Sequence, residues 1–466
     1  MGIATQIIGL IACLSFLVVT HEFGHYCFAR IFKTRVDKFY MFFNPWFSIM
    51  RAKKYDGKWH FSFFSGKAPK EWEEHPENTE WGIGWLPLGG YCAINGMVDE
   101  TTKPGDLPAE PQPWEFRSKP AWQRLFIILG GVLVNFLTAL ILYVVVLFTW
   151  GEDYTPVENA TYGMHYAQAA QDAGFRNGDR IVSIDGMIPE KSGDINAAIL
   201  FDGAQRVVVS RLDDSTSSSQ ERTIYLDKDF PKKVIGSPRT EQYFCQFEMP
   251  YIVADVFNDS PAAKAGLRKG DSLVALNGEP TFSFFDYQKK ISQQKDSTIT
   301  IAYVRDGRLD TTAVTVGSDG MIGLAARTDL FESKHVEYGF LSAIPNGISR
   351  GFHTLGDYVK QFKLVFTKEG ATQLGGFGTI GSIFPKTWNW QLFWNMTAFL
   401  AIILAFMNFL PIPALDGGYI LFILVEMITR RKPSDKFIGY ANTVGFILLL
   451  ALVIYANGLD ILRAFK

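Results

Sequence analysis

Four stretches of the chain are apolar for about the length that crosses a bilayer. They run from Ile3 to Thr20, Leu125 to Trp150, Leu392 to Pro413 and Phe437 to Tyr455, against the roughly 20 residues that a spanning helix needs. No Lys or Arg precedes the first stretch and no small-residue cleavage site follows it, so an uncleaved span is predicted there and not a signal peptide. Between the first two spans, "FYMFFNPWFSIM", "KWHFSFF" and "WGIGWLPLGGYCAI" alternate in part and are broken by Pro and Gly. They predict short strands or hairpins, either at the membrane surface or packed as a cytosolic subdomain. From Tyr338 to Phe366, apolar residues recur at 344, 348, 352, 355, 358, 362 and 366, which is helical spacing with one apolar stripe.

The region from about 151 to 390 carries an internal repeat. "AGFRNGDRIVSIDG" at 173–186 and "AGLRKGDSLVALNG" at 265–278 agree at seven of fourteen positions, 92 residues apart, and the same offset aligns "VVVSRL" at 207 with "ITIAYV" at 299. Two copies of one module of about 80 to 90 residues are predicted. Each reads as a short helix, a Gly-Asp turn, a strand and an Asp-Gly or Asn-Gly turn, with "DDSTSSSQE" as a polar hairpin loop in the first copy.

Composition narrows the class. Of 466 residues, 45 are Lys or Arg and 47 Asp or Glu, a net charge of −2, so no basic field argues for nucleic acid. Aromatic residues make up 15%, with 39 Phe. The four Cys, at 13, 27, 92 and 245, form no CxxC pair, which excludes a disulfide framework and a Cys-based zinc site as expectations. The first twenty residues carry no Lys or Arg, the segment Arg30 to Lys70 carries ten, and "TRRKPSDK" follows the third span. Basic segments face the cytoplasm. Both termini and the long middle region are therefore expected on the opposite side.

The first span ends in "HEFGH", which fits H-E-x-x-H. On a helix, His21 and His25 stand one turn apart on one face, where two imidazoles can share one zinc, and Glu22 lies beside them to take a proton from water. Two histidines merely satisfied inside a bundle would leave Glu22 in lipid or core without a partner, which is costly. The stretch lacks the Gly and third His of the metzincin extension, so a third ligand must come from elsewhere. Two acids lie near the later spans. Glu426 stands just ahead of "TRRK" and is expected to be solvated at the basic interface. Asp416 sits among Pro411, Pro413, Gly417 and Gly418, where the helix must loosen, and broken helix at membrane depth lines buried or wet sites. Asp416 is the better ligand.

HEFGH in a first span, "NFLPIPALDGG" in a third and two modules between resemble the site-2 protease family of intramembrane zinc metalloproteases. The resemblance extends to "WLPLGGY", "GGVLVNF" and "YGFLSAI" and covers almost the whole chain. It implies that the modules are PDZ-like, that His21, His25 and Asp416 hold Zn2+, and that Glu22 is the general base. It further implies that Asn408 helps to hold the substrate, with Pro411, Pro413 and Asn135 of the same motifs as candidate substrate contacts. The implied substrates are single-pass transmembrane proteins such as anti-sigma factors or signal-peptide remnants, cut in a bacterial inner membrane near its cytosolic side. The segment from about Arg51 to Glu80 is longer and more aromatic than the family leads one to expect, and "LGGFGTIG" lacks a Pro after its paired glycines.

The expected fold is thus a polytopic α-helical membrane protein with four transmembrane helices, two tandem PDZ-like α/β domains and a membrane-associated β-hairpin region. Its expected parts are a first span over 1–32, the β region over 33–120, a second span over 121–150, modules over 155–235 and 240–330, an amphipathic or re-entrant connector over 336–390, a third span over 391–430 and a fourth over 437–458. Two rivals are an inactive PDZ adaptor and a metal transporter with His21, His25 and Asp416 as a transit site. Neither gives Glu22 a task, and the transporter gives the paired modules none.

Overall fold

The computed structural model of the protein describes residues 2–87, 89–97, 110–212 and 218–465. The chain divides into two compact units. One comprises Met1–Gly151, Glu337–Val359 and Thr372–Lys466; the other comprises Glu152–Val336 and Lys360–Ala371.

The first unit is built on helices α1 (Gly2–Ile31), α2 (Ala121–Trp150), α3 (Phe340–Leu364), α4 (Trp390–Phe409), α5 (Asp416–Thr429) and α6 (Asp435–Ala464). Among the described residues, α1, α2, α4 and nearly all of α6 are long and apolar enough to cross a membrane. Helix α2 is central and packs against α1, α4 and α5. It meets α1 where glycines face each other: a Cβ on Gly24 would lie 2.2 Å from the carbonyl oxygen of Gly130. Small residues at such crossings let helix backbones touch, which is how membrane helices gain packing without a hydrophobic driving force. Helix α3, the expected amphipathic connector, lies antiparallel to α2. Gly347 fits against Val144 and Gly351 against Leu140, while Phe352 meets Phe136 and Phe340 meets Phe148.

The third apolar run does not form one helix. Pro411 and Pro413 cannot donate to a helical ladder, so α4 stops at Phe409 and α5 begins afresh at Asp416. Between them the chain bends, with Ala414 at φ +74°. Gly417 and Gly418 allow α5 to fold back on that bend, since a Cβ on Gly417 would lie 1.9 Å from Leu410 O.

The aromatic stretches after α1 form one five-stranded sheet. Strands β1 (Val36–Met41), β2 (Ser48–Tyr55), β3 (Lys58–Ser65), β4 (Glu80–Ile83) and β5 (Tyr91–Ile94) lie in the order β3-β2-β4-β1-β5, with β1 and β4 parallel and the other pairs antiparallel. Tyr55 pairs with Lys58 across Asp56 and Gly57, both at positive φ, the two-residue turn that Asp-Gly favours. Ala29 of α1 and Val36 of β1 share a core with Ile127 and Ile128 of α2 and with Ile420 and Ile423 of α5. That core lies directly beside the helix turns that carry the histidines.

The second unit contains two hydrophobic cores, one from Val157 to Cys245 and one from Tyr251 to Ile322. The repeat is visible in both. Helix Gln168–Asp172 leads to strand Arg180–Ile184 and a turn at Asp185-Gly186; helix Pro261–Lys264 leads to strand Ser272–Leu276 and a turn at Asn277-Gly278. In each core a fully buried aspartate forms a two-point ion pair with an arginine on the next long strand. Asp179 meets Arg211 at 2.7 and 2.6 Å, and Asp271 meets Arg305 at 2.7 Å twice. The polar hairpin loop expected at 213–221 falls largely outside the described residues; Ser219 to Glu221 already belong to a strand.

Candidate metal centre

His21 and His25 face α2 because their side of α1 is the buried one; they are 9% and 7% exposed. Gly131 on α2 makes the room, since a Cβ there would come within 2.5 Å of His25 Nε2 and 2.7 Å of His21 Cε1. Each ring is held at its far nitrogen. His25 Nδ1 lies 2.9 Å from Ile127 O. Only an N–H can bond to a carbonyl, so Nδ1 of His25 carries the proton and the neutral ring presents a lone pair at Nε2.

The amide of Asn135 faces His21 Nδ1 at 3.3 Å, and Thr20 Oγ1 lies 2.9 Å from Leu17 O and 3.0 Å from Asn135 Oδ1. One hydroxyl proton cannot serve both acceptors. With the amide turned over, Thr20 donates to Leu17, Asn135 donates to Thr20, and the Asn135 carbonyl accepts from His21 Nδ1–H; such a turn is a matter of assignment at an amide. Each of these contacts then has one donor and one acceptor, and His21, too, presents its Nε2 lone pair.

Asp416 enters at the first residue of α5. Its Oδ2 lies 3.1 Å from His21 Nε2 and 3.3 Å from His25 Nε2, and the two nitrogens are 3.2 Å apart. Oδ2 is buried, and no donor reaches it with hydrogen-bond geometry. A buried carboxylate oxygen without a donor is costly. A cation resolves it. A tetrahedral zinc with bonds of 2.0–2.1 Å has ligands roughly 3.3–3.4 Å apart, so the three atoms match one face of that tetrahedron closely. Among the described residues, these three are the group of His, Cys, Asp and Glu side chains that could hold a metal ion. Glu22 stands next to them on α1, half-buried.

The remaining sequence candidates separate. Asn408, near the end of α4, brings its Nδ2 within 3.4 Å of His21 Nε2. Pro411 is exposed on the bend and Pro413 is half-buried. Asn135, expected among the substrate contacts, is completely buried, with its amide against the His21 ring and not on an open surface. Glu426, expected to be solvated, is only 17% exposed and pairs with Arg124 of α2 at 2.5 Å. The interface arginines nearby in sequence did not claim it, because α5 turns this face towards α2. The roles of Gly131, Ile127 and Arg124 were missed by sequence reasoning. Only the paired glycines of "GGVLVNF" hinted at a close helix approach.

Residues 9–68 and 61–452 match the pattern of Peptidase family M50. The chain belongs to that family. A protein of Ralstonia nicotianae named as a zinc metalloprotease is 24% identical over 98% of both chains. The Regulator of sigma E protease of Haemophilus influenzae is 27% identical, covering 97% of this chain and 98% of its own. Among solved structures, the PDZ domain of the SdrC-like protein of Listeria monocytogenes matches at 24% identity over 18% of this chain and 94% of that one, with a TM-score of 0.16. As a member of M50 with these relatives, the protein is a membrane zinc metalloprotease.

Proposed function

We propose that the protein cuts the transmembrane segments of single-pass membrane proteins, with His21, His25 and Asp416 holding the zinc and Glu22 moving the proton. The observation that carries this reading is the triangle of His21 Nε2, His25 Nε2 and Asp416 Oδ2, set on apolar helices beside Glu22. Zinc bound there would act as a Lewis acid toward water and the peptide carbonyl. Glu22 takes the proton of the attacking water and passes it to the leaving amine. The amide of Asn408 can hold a substrate carbonyl beside His21.

A helical substrate keeps its carbonyls in its own hydrogen bonds, so it must unwind before it is cut. The sheet ends in β3 and β5, and an unwound segment can add to such an edge as a further strand. The segment leading into β5 touches α1 at Val18, one turn before His21, which makes β5 the favoured edge.

The Lys and Arg asymmetry supports a bacterial inner-membrane placement with both termini and the second unit outside and the histidines near the cytosolic side. For the substrate class we keep anti-sigma factors or signal-peptide remnants; the name of the Haemophilus relative, a regulator of sigma E, fits the first. The repeated modules over 155–235 and 240–330 are read as PDZ-like and as a filter that excludes substrates with a folded outer domain. Among the described residues, they contribute none to the group of His21, His25 and Asp416. The test compares membrane fragments from cells with the wild-type protein and with Glu22→Gln. The variant should retain zinc and leave substrate segments uncut; cutting at near wild-type rate would overturn the role of Glu22.

A further inference from the structure

Asp416 is the first residue of its helix, so its position depends on the bend before it. Within that bend the N–H groups of Ile412 and Leu415 bond to Leu410 O and Ile412 O, whereas that of Ala414 turns to a side chain on another helix. Pro411 and Pro413 have no N–H to give, and Ala414 adopts φ +74°, a region unfavourable to a residue with a Cβ. The N–H of Ala414 donates to Asn442 Oδ1 on α6 at 3.3 Å, and Asn442 Nδ2 donates to Tyr419 OH at 3.0 Å. Tyr419 lies on the first turn of α5. One side chain thus ties the residue two before Asp416 to the residue three after it. One turn along α6, Gly445 lets the helix backbone reach the same bend: a Cβ there would lie 2.0 Å from Pro413 O.

Helix α6 is also tied at its far end, where Asp460 accepts the N–H groups of Gly376 and Thr379 and the Thr379 hydroxyl; between the two ends its apolar side chains face outward. Val444, Ile447, Leu448 and Ile454 are all more than half exposed. An amide in so apolar a helix is costly unless it has a task. At the far end, Asn457 Oδ1 accepts the N–H of Phe377 at 3.1 Å, well removed from the bend in sequence and in its partner.

We propose that Asn442 is a positioning residue: from the last membrane helix it fixes the Ala414 bend, and through it sets Asp416 at the metal. The proposal rests on the reading of His21, His25 and Asp416 as ligands. Removing a group bonded directly to a ligand typically changes metal affinity about 10- to 100-fold; Asn442 acts one step further out, through the backbone that carries Asp416, so the lower end of that range is expected.

The test loads full-length protein in detergent with Co2+, whose visible bands report ligand geometry, and follows its loss to a chelator. Asn442→Ala should shift the bands and speed Co2+ loss by about 10-fold. Asn442→Asp, which keeps an acceptor for the Ala414 N–H, should stay near wild type, and Asn457→Ala should leave both readouts unchanged. Wild-type bands and chelation rate in Asn442→Ala would overturn the proposal, as would an equal change from Asn457→Ala, which would mark general loosening of α6. Should Asn442→Ala fail to fold, Tyr419→Phe removes one anchor of the amide. It should then speed Co2+ loss by a smaller factor, and an unchanged rate would overturn the proposal. A wild-type protein that takes up no Co2+ would instead overturn the ligand assignment beneath it.

Discussion

Asp416 and Glu426 are both acids on α5, yet their surroundings assign them different work. Asp416 Oδ2 faces two imidazole nitrogens and no donor, while Glu426 is matched by Arg124. Asp416→Asn should therefore release zinc. Glu426→Gln should keep zinc and lower stability instead, because an arginine left in a low-dielectric site costs about 3 kcal/mol. Metal content and thermal midpoints of the two purified variants decide it; equal zinc loss would overturn the distinction. The histidines and Asp416 could be singled out in the sequence because H-E-x-x-H has a fixed helical geometry and because Asp416 stands among helix breakers, whereas the pairing of Glu426 with Arg124 could not. Gly131 was not, since its importance lies in a Cβ that would strike a ring on another helix.

The break in the third apolar run and the paired modules belong to the scale of elements. Two prolines and two glycines announced the break, but the direction of the bend depends on Ala414 and on α6. In the second unit, the matching turns predicted matching strands, and both cores have them. The ion pairs inside them are not legible in the repeat, because at its 92-residue offset Arg211 falls opposite Tyr303 and not Arg305. Asp271 is fully buried and also accepts the N–H of Arg268 at 2.7 Å. Asp271→Ala should destabilise the second core by about 3 kcal/mol and leave the first as it was. Limited proteolysis of the full chain should then cut between 251 and 322 faster and not between 157 and 245. Equal rates in both would mean that the cores do not stand separately.

For the whole molecule, the proposed topology rests on charge alone and is open to a direct check. Native Cys245 is 1% exposed and Cys13 fully buried, so neither can report sidedness. Cysteines placed at the exposed positions Asp296, Asp56 and Arg431 can. In intact spheroplasts, Asp296→Cys should react with an impermeant maleimide, while Asp56→Cys and Arg431→Cys should react only after lysis. The reverse pattern would place the histidines near the outer face.

By itself the sequence determined the apolar spans, the repeat, the H-E-x-x-H pattern on α1 and Asp416 as the acid most suited to join it. These are local properties: hydropathy over a span, helical spacing, and the limits that Pro and Gly place on a backbone. Only the tertiary structure decided that Asn135 lies against His21, that Arg124 takes up Glu426, that glycines let α1 and α2 touch, and that Asn442 reaches the bend from α6. Each joins residues far apart in the chain, and a side chain's task at such a contact is set by the partner's shape and charge, which no neighbouring residue records.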